Sequence, residues 1–168
     1  MYPTKNNLAE SIRAKAIAFL NARLADCVDL QTQTKQAHWN IKGPNFIALH
    51  KLFDEINESV EEYVDEIAER VVQLGGVAEG TVRIAASRSS LPDYPVNGGG
   101  HVEALSSALA SFGKSARETI GRADEIGDVD TADLFTEVSR GIDKWLWFVE
   151  AHLQTACSPH DPHEDTRW

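Results

Sequence analysis

Residues 38–76 read HWNIKGPNFIALHKLFDEINESVEEYVDEIAERVVQLGG. After the Gly43-Pro44 break, Leu52, Phe53, Ile56, Val60, Val64, Ile67, Val71 and Leu74 recur at three- and four-residue steps. That period predicts an amphipathic helix over residues 45–73, with Asn45 placed to cap its start and Gly75-Gly76 ending it. Beside the apolar stripe lie two pairs of polar residues, His50/Asp54 and Asp65/Glu69. Each pair is spaced i, i+4, and at roughly 100° per residue all four fall within an arc of about 100°. From Asp54 to Asp65 is about 16 Å at 1.5 Å per residue, whereas metal–ligand bonds are about 2.0–2.6 Å. The two pairs of one helix therefore cannot hold the same ion. Either each completes itself with groups from elsewhere, or a two-fold axis crosses the helix. Such an axis would run the helix antiparallel to its copy and bring His50/Asp54 of one chain near Asp65/Glu69 of the other. Acids at helical spacing are ordinarily a solvated face, and spacing alone leaves that reading open.

The flanking sequence supplies the rest of a bundle. Leu8, Ile12, Phe19, Leu20, Leu24 and Cys27 set a helical period over residues 8–39. Cys27 falls in the apolar stripe, which predicts a buried, inert thiol. The connection through Gly43-Pro44 is short, so the first two helices are antiparallel neighbours and His38 comes near the start of the second. Residues 75–100 form a long connection with Gly80, Pro92, Pro95 and Gly98-Gly99-Gly100, inside which Thr81–Arg88 reads as a short helix. A third long helix is expected over 101–127. A fourth is expected to start near Thr131, capped by Asp130, and to reach residue 155. Its core face would carry Leu134, Val138, Ile142, Trp145, Val149 and His152 or Leu153, with Trp147 and Phe148 as packing residues. The tail holds His160 and His163 among acids and prolines, a composition that suits a mobile end or a weak metal site.

Composition excludes several classes. The 168 residues suit one domain, 1–168, with segments 1–7 and 156–168 expected to be mobile. The net charge of −10 opposes a nucleic-acid surface and suits a protein that attracts cations. No apolar run is long enough to span a membrane, and the start MYPTKNN has no secretory pattern. Two cysteines, Cys27 and Cys157, do not make a disulfide framework, so a reducing cytosol is the simplest compartment.

The run His38-Trp39-Asn40-Ile41-Lys42-Gly43-Pro44-Asn45-Phe46 resembles the first signature of the Dps family, the mini-ferritins named for the DNA-binding protein from starved cells. Asp65-Glu66-Ile67-Ala68-Glu69-Arg70 with Gln73-Leu74-Gly75-Gly76, and Asp143-Lys144-Trp145-Leu146-Trp147-Phe148-Val149-Glu150 downstream, resemble the rest. The resemblance spans nearly the whole chain. It implies an all-α, ferritin-like four-helix bundle with a short helix in the long crossover between the second and third long helices. It further implies an iron-oxidising centre in which His38, His50 and Asp54 of one chain face Asp65 and Glu69 of a two-fold partner. Glu69 would bridge two irons, with Asp65 and His38 on one and His50 and Asp54 on the other. Nitrogen and oxygen ligands suit Fe²⁺, and Zn²⁺ or Mn²⁺ can substitute. The implied activity is ferroxidase, taking Fe²⁺ and hydrogen peroxide as substrates and storing ferric mineral in a hollow dodecamer.

Trp39 would lie against the centre and shield it. Asp128, Asp133 and Glu137 match acids that line the family's three-fold pores, although acids near a helix N-terminus are favourable for dipole reasons alone. Two other function classes compete. An intrachain di-iron enzyme would carry Glu-x-x-His motifs, and this sequence has none. A DNA-condensing protein would present cations at its termini, but residues 1–12 hold Lys5 against Glu10, and the last eleven residues hold Arg167 against three acids. DNA binding is therefore expected to be weak.

Overall fold

The computed structural model describes residues 1–95 and 99–154. The apolar periods fold into helices α1 (Glu10–Asn40), α2 (Phe46–Gln73), α3 (Val82–Arg88), α4 (His101–Glu125) and α5 (Val129–Glu150). Between α1 and α2 the chain reverses at Gly43, whose φ of 104° is left-handed and suits a residue without Cβ. Asn45 stands at the start of α2 and its carbonyl accepts from the Leu49 amide, but its side chain makes no capping bond.

Side-chain bonds show how the long crossover runs. Asn21 pairs with Val77 O and the Glu79 amide, Asp26 accepts from Ser90, and Gln33 donates to Pro92 O. Residue numbers rise together on α1 and on the crossover, so the crossover climbs along α1 from the lower end of α2. The next helix then descends: Arg23 donates to Ser115 O, and the Arg122 guanidinium lies over the Phe19 ring. Finally, α5 returns along α2, with the Tyr63 hydroxyl against Gly141 and Arg70 bonded to Asp128 and Thr131. One long crossover linking two antiparallel hairpins is the ferritin-like bundle connectivity that the sequence implies.

The core sits between the four long helices, where Leu20, Leu24, Phe53, Ile56, Phe112, Phe135 and Ile142 are fully buried. Cys27 is buried with them and its Sγ contacts Val60 O at 3.7 Å. Burial, then the charges of Asp26 and Glu66, push its thiol far above the ordinary range, so no nucleophilic thiolate forms at neutral pH.

Four expectations are corrected at α5. The helix starts at Val129 and its N-cap is Asp128, not Asp130. The Asp128 carboxylate accepts from the Thr131 amide and hydroxyl at 3.2 and 2.6 Å, which begins the helix two residues early. The helix also stops at Glu150, leaving His152 and Leu153 exposed beyond it rather than on its core face. Phe135 fills the centre of the core and Leu134 packs half-buried at its edge, because the buried stripe runs through Thr131, Phe135, Val138 and Ile142. Trp145 is buried, but Trp147 is 64% exposed and packs only in part, edge-on to Phe148.

Residues 1–7, expected to be mobile, meet the bundle at Tyr2, whose amide donates to Gly75 O at 2.7 Å. Gly75 has φ 84°, and a Cβ there would lie 2.6 Å from Tyr2 O, so the close approach requires glycine. Among the described residues no helix is long and apolar enough to cross a membrane. Cys157, His160 and His163 lie outside the described residues.

Candidate metal centre

The end of α1 and the start of α2 bring His38 and His50 face to face. Their rings stack with centroids 3.8 Å apart and planes 22° from parallel. His38 Nδ1 is 2.8 Å from His50 O, and His50 Nδ1 is 3.0 Å from His38 O. A carbonyl oxygen can only accept, so in each neutral ring the proton is on Nδ1. Both Nε2 atoms are left with a free lone pair. An Nδ1–H bond to a backbone carbonyl is the support that metal-binding histidines ordinarily have.

Asp54 follows one turn after His50, with its Oδ1 3.8 Å from His38 Nδ1. The same oxygen lies 2.5 Å from Lys35 Nζ. The Lys35 hydrogen bond is the main cause that holds the Asp54 carboxyl below the usual range, with smaller contributions from the Lys35, His38 and His50 charges. A depressed pKa means that the pair is intact at neutral pH and is lost only as the pH falls through the folded value, below the ordinary carboxyl range. Lys35 therefore competes with any cation for Asp54. Replacing Lys35 by Met should tighten Zn²⁺ binding, with Zn²⁺ as a redox-silent probe, by about two- to fivefold. That is the scale of a half-exposed ion pair. Titration calorimetry checks this, and equal or weaker binding would remove Lys35 from the centre.

Asp65 and Glu69 project from the exposed side of α2, and neither enters a salt bridge among the described residues. Asp65 opens onto a cleft shared with Gln31, Glu58, Glu61 and Glu62. Glu69 lines a cavity of ≈ 400 Å³ with Glu66, Arg70 and Asp130. Within one chain, among the described residues, no three His, Cys, Asp or Glu side chains come together closely enough to hold an ion. The structure thus places His38 against His50 and 3.8 Å from Asp54, short of a three-ligand cluster, and leaves Asp65 and Glu69 apart from them, with His50 and Asp54 on the same helix.

Residues 17–157 match the family described as Ferritin-like domain. The DNA protection during starvation protein of Agrobacterium fabrum is 44% identical over 156 residues, covering 91% of this chain and 96% of that protein. The chain belongs to the Dps family. Among solved structures, DpsC from Streptomyces coelicolor superposes with TM-score 0.87 at 32% identity, covering 95% of this chain and 94% of that one. A Dps protein from Vibrio cholerae O1 is described as a member of a broad superfamily of ferritin-like diiron-carboxylate proteins. It is 25% identical, with TM-score 0.83, and covers 92% of this chain and 98% of its own.

On this Dps chain the remaining site residues divide. Trp39, next to His38, is 67% exposed and forms a wall of an open cavity of ≈ 640 Å³, together with Lys35, Gln33, Asn57 and Tyr94. Asp133 and Glu137 are exposed one turn apart on α5. Asp128 is not with them: it is 1% exposed and its carboxylate is held by Arg70 and Thr131. Glu66 shows how closely the acids crowd this side. Partial burial foremost, then Glu137, Glu62 and Asp65, push its carboxyl upward.

Reading the sequence missed Lys35, although Lys35 and His38 at i, i+3 share a face of α1. It also gave Arg70 no role, since nothing local points an arginine at a turn 58 residues downstream.

Proposed function

We propose that this chain binds Fe²⁺ at centres shared between two-fold-related copies. There it oxidises the ion, by preference with hydrogen peroxide, and the ferric product is stored inside a hollow dodecamer. One observation carries the reading: the reciprocal His38–His50 hydrogen bonds, which engage both Nδ1 atoms with main-chain oxygens and leave both Nε2 atoms without a protein partner among the described residues, with Asp54 one turn away on α2. Imidazole nitrogens and carboxylates without a thiolate fit Fe²⁺, Mn²⁺ or Zn²⁺. The partner's α2 would supply Asp65 and Glu69, with Glu69 between two ions, His38 and Asp65 on one, and His50 and Asp54 on the other. Exposed Ile47, Val72, Val82 and Trp147 support burial of further surface in an assembly. Trp39, exposed in the single chain, would cover the centre from the side of α1.

In the reaction, two Fe²⁺ each give one electron to one hydrogen peroxide, which takes up two protons and leaves as two waters. The protein's part is to hold both ions in reach of one oxidant. The test is anaerobic loading with Fe²⁺, followed by one peroxide per two Fe²⁺. Ferric absorbance should rise faster than in a protein-free control, with little hydroxyl radical trapped, in particles whose native mass is that of an assembled shell. Oxidation no faster than the control would defeat the proposal.

Asp133 and Glu137 are proposed to draw Fe²⁺ inward, since exposed acids gathered around a channel raise the local cation concentration. The cavity that links Asp130 with Glu66 and Glu69 supports a route from that face towards the centre. Asp128 had been counted with them, but its carboxylate is engaged, so the test uses Asp133→Asn with Glu137→Gln. Uptake should slow roughly tenfold at low ionic strength and the difference should fade with added salt. Unchanged stopped-flow uptake in an intact shell would remove these acids from the route. The name borne by the relatives raises a DNA-binding reading, which the net charge of −10 opposes.

A further inference from the structure

Tyr94 and His101 stand outside the ligand set. Tyr94 Oη lies 2.7 Å from His101 Nδ1, and the two rings stack with centroids 5.9 Å apart. His101 is 7% exposed. Of the three tyrosines in the chain, Tyr2 is exposed, Tyr63 has its hydroxyl against Gly141, and Tyr94 alone has its hydroxyl hydrogen-bonded to a base among the described residues. Tyr94 also lines the cavity that Trp39 walls, and Trp39 is the chain neighbour of His38. Burial pushes the Tyr94 phenol up to about 12, so it is protonated at neutral pH and can lose an electron readily only if its proton leaves too. A base within hydrogen-bond reach is what that transfer needs.

We infer that Tyr94 and His101 form a proton-coupled electron donor that quenches one-electron oxidants arising at the centre, with Trp39 in the wall of the cavity that Tyr94 also lines. The inference rests on the ferroxidase reading. A lone Fe²⁺ meeting hydrogen peroxide gives Fe³⁺, hydroxide and a hydroxyl radical. Tyr94 supplies the missing electron, directly or through the Trp39 ring, and the radical becomes hydroxide. The phenolic proton passes to His101 Nδ1, which in this step is the unprotonated nitrogen of the ring. The products are a neutral tyrosyl radical and an imidazolium. A further Fe²⁺ returns the electron, becoming Fe³⁺, and the proton returns from His101 to Tyr94. Atoms and charge balance in both halves, and the sole oxidant is peroxide.

The experiment has two arms, each read by freeze-quench electron paramagnetic resonance on the assembled protein. One arm adds peroxide to Fe²⁺-loaded protein. The other uses iron-free protein and a ruthenium–persulfate photo-oxidant. Both should give a neutral tyrosyl signal in wild type whose hyperfine pattern narrows with ring-deuterated tyrosine. The signal should vanish in Tyr94→Phe and lose most of its amplitude in His101→Asn. It should persist in Tyr2→Phe/Tyr63→Phe, which retains Tyr94 as the only tyrosine. Trp39→Phe should delay it in the iron arm. A full signal in Tyr94→Phe, indifference to His101→Asn, or loss in the Tyr2/Tyr63 variant would each overturn the assignment. If wild type fails to oxidise Fe²⁺ at all, the ferroxidase reading falls. The iron-free arm still decides the pair.

Discussion

Refolding two inactive variants together should return about a quarter of the wild-type Fe²⁺-oxidising centres. The first variant carries His38→Ala and His50→Ala, the second Asp65→Ala and Glu69→Ala. Alone, each should assemble and oxidise Fe²⁺ hardly faster than buffer, because every shared centre lacks two of its five proposed ligands. With random pairing about half of the two-fold pairs are mixed. In a mixed pair one centre inherits both defects, and the other combines intact histidines from one chain with intact acids from its partner. The structure gives the motive: His38 and His50 meet Asp54 at one end of α2, while Asp65 lies about 16 Å beyond Asp54 along the helix and Glu69 a further turn on. A centre completed within one chain predicts no recovery at any ratio. Native mass must show mixed shells in the same sample. Mixed shells without peroxide-dependent oxidation would refute the shared centre.

The largest expected loss of stability is at Arg70 and Asp128. Arg70 is 9% exposed and Asp128 1%, with Nη2 2.7 Å from Oδ1. Arg70 Nε also donates to Thr131 Oγ1 at 3.0 Å, and Thr131 Oγ1 donates to Asp128 Oδ2. One carboxylate thus caps α5 and neutralises a guanidinium at the far end of α2. Asp128→Ala removes the cap and leaves a buried cation whose nearest other acid, exposed Asp130, is 3.8 Å away. Breaking a buried pair on one side costs about 3–5 kcal/mol. The double change Arg70→Met/Asp128→Leu should recover most of that, since no charge is left stranded. Denaturant midpoints at fixed protein concentration measure both. A shift for Asp128→Ala of less than about 1 kcal/mol, the range of a surface pair, would show that the pair does not hold the turn.

Both experiments bear on what could be read without coordinates. Helix number, order and the crossover were legible because each follows from local periodicity, glycine and proline. That His50 and Asp54, and likewise Asp65 and Glu69, lie one turn apart on α2 was legible because i, i+4 spacing fixes a shared face. What failed was tertiary in origin. Asp128 outcompeted Asp130 as the cap because Arg70, from another helix, holds it there. The α5 stripe passes through Phe135 rather than Leu134, a phase that adjacent apolar residues cannot decide. Trp147 was read as packing because an aromatic residue in an apolar run gives no sign that its face of α5 is uncovered. The hydrogen bond between Tyr94 and His101 spans the connection ahead of α4, where no period reports on side-chain direction.

The two histidine hydrogen bonds end on main-chain oxygens, which every residue possesses. His50 therefore retains its acceptor at position 38 whichever side chain stands there, and the converse holds for His38. Exchanging either imidazole removes the stacked ring but leaves the other its hydrogen bond to the main chain. The proposed ligand set is open to change one member at a time, each intermediate keeping one ring bonded to its main-chain oxygen. A lineage of such chains could pass between centres of one and two imidazoles through steps that each keep one ring's hydrogen bond.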